Sequence, residues 1–266
     1  MMANQAWKRA LDRAGVAFVV YLAVACVVTW PAVINLTRRL PLDLGDPLLN
    51  SWILAWDWSR LLRFAQGDLG ALRGFWNAGI FYPEPLALAY SEHLVAQAFQ
   101  ALPLFALTRE VVLCYNVLFL STFALSGLGA FLFVRQITGD GRAAFVGGLL
   151  YAFAPYRMTQ IGHLQVLSSQ WMPFALFGLA RWFDGFGPAA DVSFRAMTDA
   201  SPPPRAPLVW AIVALVAQNL SCGYYLVFFT PVVTAYVLWE VGRRGLWRHV
   251  RTVSYTHLTL PTIYSV

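Results

Sequence analysis

The chain carries little charge. Only 12% of its 266 residues are Asp, Glu, Lys or Arg, whereas 59% are hydrophobic. Soluble domains carry about twice this share of charge, so the composition argues against a soluble protein and favours a membrane protein. The net charge of +6 comes from basic residues that flank apolar stretches. Basic flanks follow the positive-inside bias of membrane proteins, and we therefore expect no nucleic-acid partner.

Cysteine is also scarce. Cys26, Cys114 and Cys222 lie far apart in apolar stretches, without a CxxC or Cys/His spacing. This excludes the usual sequence signatures of a zinc site and of a disulfide framework. The basic start and first apolar stretch could be a secretory signal, but no small-residue cleavage site follows. We therefore expect an uncleaved first helix.

Apolar stretches predict several membrane crossings, since a helix needs about 20 apolar residues to span the hydrocarbon core. Residues 16–34 and 111–134 meet this requirement, and residues 143–155 and 164–180 are shorter uncharged stretches. Residues 206–239 are too long for one crossing, and we divide them at the turn formed by Ser221 to Tyr225.

Residues 94–107 are ambiguous because they are short and contain Gln97, Gln100 and Pro103. If this segment does not cross, the basic clusters at residues 135–142 and 243–251 both fall on the inner face, as the positive-inside bias requires. The sequence thus predicts an all-α polytopic transmembrane helical bundle with about six crossings plus juxtamembrane helices. The loop of residues 34–93 then lies outside.

The domain organisation follows from the same pattern. Residues 1–252 read as one transmembrane domain. Residues 253–266, VSYTHLTLPTIYSV, have no span or charge pattern and resemble a translated sequencing adapter. We expect this tail to be non-native and unstructured, and the natural protein to continue beyond Thr252.

Asp46 is the first candidate for chemistry. In the string Gly45-Asp46-Pro47 it has the features of a helix N-cap followed by proline, before a Trp-rich interfacial helix over residues 48–64. It could also serve as a general base or a metal ligand that faces a substrate in the loop, and the structural and functional roles are compatible. Asp43 is the competing carboxylate.

Other polar residues fall in the segments expected on the outer face. Glu92 and His93 are either an acidic first helical turn or a second acid/base group near Asp46. Arg157 and His163 flank the next outer turn. Arg157 is either an interfacial anchor or, with His163, a cationic donor to a phosphate or pyrophosphate.

Aromatic residues mark the expected membrane interface. Tyr224 and Tyr225 suit an interfacial belt, although such rings can also stack on sugar faces. Trp52, Trp56 and Trp58 are expected to seat the 48–64 helix at the level of the lipid headgroups.

Four strings together resemble a bacterial integral-membrane glycosyltransferase family of the GT-C class: GDPLLNSWILAW, YPEPLALAYSEHLVAQA, GHLQVLSSQWMPFAL and NLSCGYY. The resemblance implies a catalytic Asp in the first extracytoplasmic loop, a polyprenyl-phosphate-linked sugar donor and an inverting transfer at the bacterial inner membrane. Asp46 matches the position of that Asp. Glu92, His93 and His163 match polar positions of the pattern.

The resemblance is incomplete. Several GT-C branches have a second acidic residue beside the first, but here Pro47 follows Asp46. The resemblance therefore leaves open whether the enzyme uses a divalent cation as a cofactor. The C-terminal region of such enzymes is missing, and the fragment could be inactive. The expected function is sugar transfer to an extracytoplasmic glycan, lipid or protein acceptor.

Two other functions remain as alternatives. A transporter or flippase of lipid-linked intermediates would normally carry ionisable residues inside its spans, and the clear spans here have none. In a non-catalytic membrane scaffold, Asp46 would only cap a helix.

Overall fold

A computed structural model describes residues 2–42, 44–187 and 203–247, with side chains from residue 14 onward. Within these ranges all regular secondary structure is helical, which confirms the all-α prediction. The α-helices are α1 (Met2–Val28), α2 (Asp46–Ala65), α3 (Val95–Thr108), α4 (Val111–Thr138), α5 (Gly141–Ala152), α6 (Pro155–Thr159), α7 (Leu164–Leu167), α8 (Trp171–Asp184), α9 (Arg205–Ser221) and α10 (Tyr224–Arg243). Short 3-10 turns cover Ala32–Asn35, Leu69–Leu72 and Ala87–Tyr90. Asp43 and the predicted 253–266 tail lie outside the described residues.

Helix α4 is the centre of the bundle and packs against α1, α5 and α8. In the most apolar 18-residue stretch of α4, 61% is buried inside the molecule. The corresponding share for α10 is 11%, so α10 lies at the periphery. Among the described residues, α4 and α10 are the two helices long and apolar enough to cross a membrane. Residues 14–28 of α1 and all of α3 and α9 are shorter apolar helices.

Tyr21 joins α1 to α4 and α5. Its ring is fully buried, and its hydroxyl donates a hydrogen bond of 3.0 Å to the Phe145 carbonyl. The ring fits because the facing residues are Gly127 and Gly148: a β-carbon at Gly127 would lie 2.5 Å from Tyr21 Cδ2. The two glycines therefore set the close approach of these three helices.

The first apolar stretch is not helical along its whole predicted length. Helix α1 ends at Val28, so the prediction of a span over residues 16–34 is wrong at its C-terminal end. Pro31 lacks the N–H that another α-helical turn requires, and a 3-10 turn over Ala32–Asn35 follows instead. The chain is thus free to form a folded loop beside the end of α1.

The stretch over residues 164–180 is also broken, which corrects the prediction of one span. Helix α7 ends at Leu167, and α8 begins at Trp171. Between them, the Ser168 carbonyl accepts a hydrogen bond from Gln218 Nε2, and the Ser169 carbonyl accepts one from the Tyr151 hydroxyl, both at 2.9 Å. These side chains supply partners from distant helices, so a polar turn can lie inside the bundle.

Two other boundaries confirm the sequence predictions. Helix α9 ends at Ser221 and α10 begins at Tyr224, where the uncharged 206–239 stretch was divided. Helix α2 covers the Trp-rich helix predicted over residues 48–64. At both places the turn residues and the local apolar pattern were sufficient to predict the boundary.

Replacing Gly148 with alanine tests the packing around Tyr21. The new β-carbon would collide with the Tyr21 hydroxyl and the Gly127 carbonyl. Overpacking of this kind costs about 1–3 kcal/mol, so the thermal unfolding midpoint of Gly148→Ala in detergent should fall. Gly15→Ala is the control because no atom lies within 4 Å of its β-carbon. An unchanged midpoint for Gly148→Ala would contradict this arrangement of α1, α4 and α5.

Candidate active site at the start of helix α2

Asp46 lies in the first turn of α2 and not at its cap. Gly45 is the N-cap residue, which corrects the predicted capping role of Asp46 by one position. Pro47 follows and suits the helix start because it lacks an N–H. The Asp46 side chain is 44% exposed, and its negative charge complements the positive end of the helix dipole. The carboxylate is therefore held by the helix and still open to solvent.

His163 approaches Asp46 from the turn between α6 and α7. Its Nε2 lies 3.4 Å from Asp46 Oδ2, and Gln165 Nε2 lies 3.5 Å from the same oxygen. Asn50 donates a hydrogen bond of 2.8 Å to Gln165 Oε1, which turns the Gln165 amide group toward Asp46. The structure thus brings together two residues that the sequence named as separate candidates.

Arg157 lies inside the molecule, with 5% of its surface exposed. Its guanidinium donates to the carbonyls of Ala152 and Leu167 at 2.9 Å and of Thr122 at 3.2 Å, and to the Ser169 hydroxyl. Burial lowers the pKa of Arg157 from its ordinary value. An arginine still stays charged, and these acceptors replace its lost hydration.

The surroundings of Arg157 give it a positioning role. The guanidinium carbon lies 5.4 Å from the ring centre of Phe123 and 5.9 Å from that of Tyr151, as in cation–π contacts. These contacts are interior, so the group presents no exposed donor to a phosphate. It instead joins α6, in which it lies, to the ends of α5 and α7, on either side of the turn that carries His163.

Glu92 anchors the start of α10. One carboxylate oxygen accepts a hydrogen bond of 2.9 Å from the Gly223 N–H, and the other lies 3.8 Å from Cys222 Sγ. An acidic group at a helix N-terminus is stabilised by the dipole. Burial, together with the nearby Glu92 charge, raises the pKa of Cys222 to about 12, so its thiol stays neutral.

The two candidate tyrosines have different surroundings. The Tyr225 hydroxyl donates a hydrogen bond of 2.6 Å to the Val166 carbonyl in α7. Tyr224 is 58% exposed. Gln165, the neighbour of Val166, lies beside Asp46. Helix α7 therefore contacts both Asp46 and the start of α10. Tyr225 thus fixes α7, and Tyr224 is the ring that is open to a ligand.

His93 belongs to a separate buried cluster with Asp57. Its Nε2 lies 2.9 Å from Asp57 Oδ1, and its ring lies against Phe75 and Trp76 at centre distances of 4.5 and 4.2 Å. Burial raises the pKa of Asp57, and the His93 contact partly offsets this. Asp57 is eleven residues after Asp46, or about 16 Å along the axis of α2. His93 therefore makes its contact well away from the Asp46 carboxylate.

Sequence reasoning missed Asp57 and the two amides, Asn50 and Gln165. A signal for Asp57 was present, since it follows Asn50 and Leu54 at helical spacing on the face of α2 that is buried. A carboxylate on such a face requires a partner. Trp58 lies on that face as well: it is fully buried and donates a hydrogen bond to the Ala98 carbonyl, so its ring packs inside the molecule.

Replacing Arg157 with lysine separates its positioning role from a phosphate-binding role. Lysine keeps the charge but cannot reach the same set of acceptors, so we expect a loss of about 3 kcal/mol or more in stability. Thermal unfolding in detergent measures this, with Arg38→Lys at an exposed position as control. If Arg157→Lys unfolds with the wild-type midpoint, Arg157 does not hold the turn.

Within the described ranges, no three His, Cys, Asp or Glu side chains are grouped to hold a metal ion. The chain matches no protein-family model, and no curated protein and no solved structure matches it.

Proposed function

We propose that this chain is a membrane glycosyltransferase of the GT-C type, which transfers a sugar from a polyprenyl-phosphate donor to an acceptor outside the bacterial plasma membrane. The observation that supports this best is the pair of Asp46 and His163. A half-exposed carboxylate beside an imidazole, held by a buried network in an apolar bundle, suits proton abstraction next to a lipid surface.

In the proposed reaction Asp46 is the general base. It takes the proton from the acceptor hydroxyl as that oxygen forms a bond with the anomeric carbon of the sugar. The bond between this carbon and the phosphate oxygen breaks, and its electron pair leaves with the lipid phosphate. Attack opposite to the leaving group inverts the anomeric centre, in keeping with the sequence resemblance.

His163 and Gln165 orient the base. Both contact Oδ2 of Asp46 and, among the described residues, they supply the side-chain contacts to that carboxylate. Hydrogen bonds donated by His163 Nε2 and Gln165 Nε2 would fix the position of Oδ2. The other oxygen, Oδ1, would then be free to accept the proton of the acceptor hydroxyl. Tyr224, exposed at the start of α10, is the candidate surface for stacking on a sugar ring.

The proposed topology has six crossings, with α1, α4, α5, α8, α9 and α10 as the crossing helices and α3 lying at the interface. The positions of Arg135 and Arg142 support this, because they flank the α4–α5 turn as inner-face residues should. Arg157 contacts α4 at Thr122, about 24 Å along the helix from Thr138. Thr122 is therefore separated from the α4–α5 turn by most of the thickness of a bilayer core. Because that turn lies on the inner face in the proposed topology, the separation supports a site near the outer face.

Cysteine labelling tests this topology. Tyr82 and Ile137 are exposed, at 89% and 57%, and each can be replaced by cysteine after the three native cysteines are changed to alanine. A membrane-impermeant maleimide added to intact cells should label position 82 and leave position 137 unlabelled until the cells are opened. Labelling of position 137 alone in intact cells would contradict the orientation.

Asp46→Asn tests the proposed chemistry. The amide keeps the shape of the side chain but cannot accept the proton, so transfer should fall by about 100-fold or more. Membranes containing the chain would be supplied with radiolabelled polyprenyl-phosphate sugars, and transfer to endogenous acceptors would be counted. Asp68→Asn is the matched control because Asp68 forms an exposed ion pair with Arg63.

Two results would contradict the proposal. If membranes with the wild-type chain transfer no more sugar than membranes without it, the proposal that this chain is itself a glycosyltransferase is wrong. If Asp46→Asn transfers sugar at the wild-type rate, Asp46 is not the base. Similar unfolding midpoints for wild type, Asp46→Asn and Asp68→Asn would show that a loss of transfer does not come from misfolding.

A further inference from the structure

A cavity of about 590 Å³ lies where α1 meets the turn between α4 and α5. Its apolar walls come from all three helices and include Val16, Ala17, Phe131 and Phe145. The volume falls in the ordinary range for small-molecule sites. The cavity is therefore large enough to take a phospholipid headgroup.

The wall formed by Phe145 is fixed by the contact that joins α1 to α5. Tyr21 stacks on the Phe145 ring with a centre distance of 5.5 Å, and its hydroxyl donates to the Phe145 carbonyl. Val16 and Ala17 precede Tyr21 by about one helical turn. The cavity thus lies one turn away from a close contact between helices, toward the start of α1.

Two opposite charges line this cavity. Asp140 and Arg142 both belong to its wall, and both are exposed. Within the described ranges neither side chain takes part in an ion pair, with the other or with a third residue. Asp140 is the N-cap of α5, and its Oδ1 accepts the backbone N–H of Arg142 at 2.7 Å. The second carboxylate oxygen and the guanidinium are therefore available to a ligand.

A carboxylate and a guanidinium on one wall match a molecule that carries both a primary ammonium and a phosphate. The ammonium donates hydrogen bonds to a carboxylate, and a guanidinium donates to phosphate oxygens. A choline headgroup has no N–H to donate, and an anionic headgroup would repel Asp140. The apolar walls favour a lipid over a free zwitterion, because they remove hydrocarbon from water.

The surroundings of the cavity suit the chains of such a lipid. Val16 is 64% exposed, and Val146, the neighbour of Phe145, is 52% exposed. Apolar surface of α1 and α5 thus continues outward from the cavity. In the proposed topology the α4–α5 turn lies on the inner face, so the lipid would belong to the inner leaflet.

We propose that this cavity binds a phosphatidylethanolamine-type lipid, with Asp140 as the contact for the ammonium and Arg142 as the contact for the phosphate. The bound headgroup would fill the space between α1 and the start of α5 and stabilise their packing. This lipid is no substrate of the proposed sugar transfer. The α4–α5 turn lies about 24 Å along α4 from Thr122, the residue that Arg157 contacts. The site therefore does not depend on whether the chain transfers sugar.

Native mass spectrometry of the full 266-residue chain in detergent tests the choice of lipid. The chain would be titrated with phosphatidylethanolamine, phosphatidylcholine and phosphatidylglycerol that carry the same two acyl chains. Wild type should bind phosphatidylethanolamine about threefold or more tightly than either of the others, since single contacts between exposed charges are modest. Equal affinity for the ethanolamine and choline lipids, or tighter binding of phosphatidylglycerol, would overturn the proposal.

Asp140→Asn tests the ammonium contact. Asn caps a helix about as well as Asp, so the start of α5 should be kept while the charge is lost. The preference for phosphatidylethanolamine over phosphatidylcholine should disappear, and phosphatidylglycerol should bind more tightly than it does to wild type. An ethanolamine preference that survives in Asp140→Asn would show that Asp140 does not read the headgroup and would overturn the assignment.

Arg142→Gln tests the phosphate contact and should weaken the binding of phosphatidylethanolamine about threefold or more. Arg135→Gln is the matched control. Arg135 precedes the same turn but does not line the cavity, and its guanidinium carbon lies 5.9 Å from the ring centre of Phe131. This control should keep the wild-type affinity. An equal loss in both arginine variants would show that lipids respond to the charge of this face as a whole, which would overturn the site.

Two further measurements complete the test. Unfolding midpoints like that of wild type would show that the variants are folded and that a change in affinity belongs to the cavity. Phosphoethanolamine, the headgroup without its chains, should displace the lipid poorly because it lacks the apolar contacts. Displacement by phosphoethanolamine at the affinity of the lipid itself would overturn the assignment to a membrane lipid.

Discussion

The buried guanidinium of Arg157 holds together the part of the molecule that carries the candidate site. It collects a carbonyl from α4, one from α5 and one from α7, and it adds the Ser169 hydroxyl where α7 gives way to α8. A buried cation is tolerated only when such partners are all in place. The turn between α6 and α7 therefore has one arrangement, and that arrangement puts His163 beside Asp46.

The other supports of the site act through the same short helix. Gln165 in α7 reaches Asp46, while the Val166 carbonyl accepts the hydroxyl of Tyr225 from α10. Glu92 holds the start of α10 through the Gly223 N–H. The loop of residues 34–93, α7 and the start of α10 are thus connected by polar contacts at places where apolar helices break. In a bundle held mostly by apolar packing, such contacts fix the relative positions of loops that would otherwise vary.

The local sequence pattern was sufficient to predict the helices and breaks that depend on neighbouring residues alone. Pro47 and the Trp-rich stretch predicted α2, and Cys222 with Gly223 marked the break between α9 and α10. The break between α7 and α8 was missed because its carbonyls are satisfied by Tyr151 and Gln218, which are distant in sequence. Hydropathy along one stretch contains no information on such partners.

The candidate site was predictable only in part for the same reason. Asp46 and His163 were both named from the sequence, but their contact depends on the tertiary fold. Arg157 was expected at the surface because a charge beside an apolar stretch usually lies at the interface. Its burial needs acceptors from three helices, and no spacing rule predicts that. His93 was placed with Asp46 by its position in the first loop, whereas the side chain that it contacts is Asp57.

A double-mutant cycle on Asp46 and His163 tests the central claim, that the two residues act as one unit in sugar transfer. Rates would be measured for Asp46→Asn, His163→Gln and the double variant in membranes supplied with a polyprenyl-phosphate sugar. If His163 acts by orienting the base, its loss should matter only while the base is present, so the double variant should be no slower than Asp46→Asn. Losses that multiply in the double variant would show that the two residues act independently and would contradict the account.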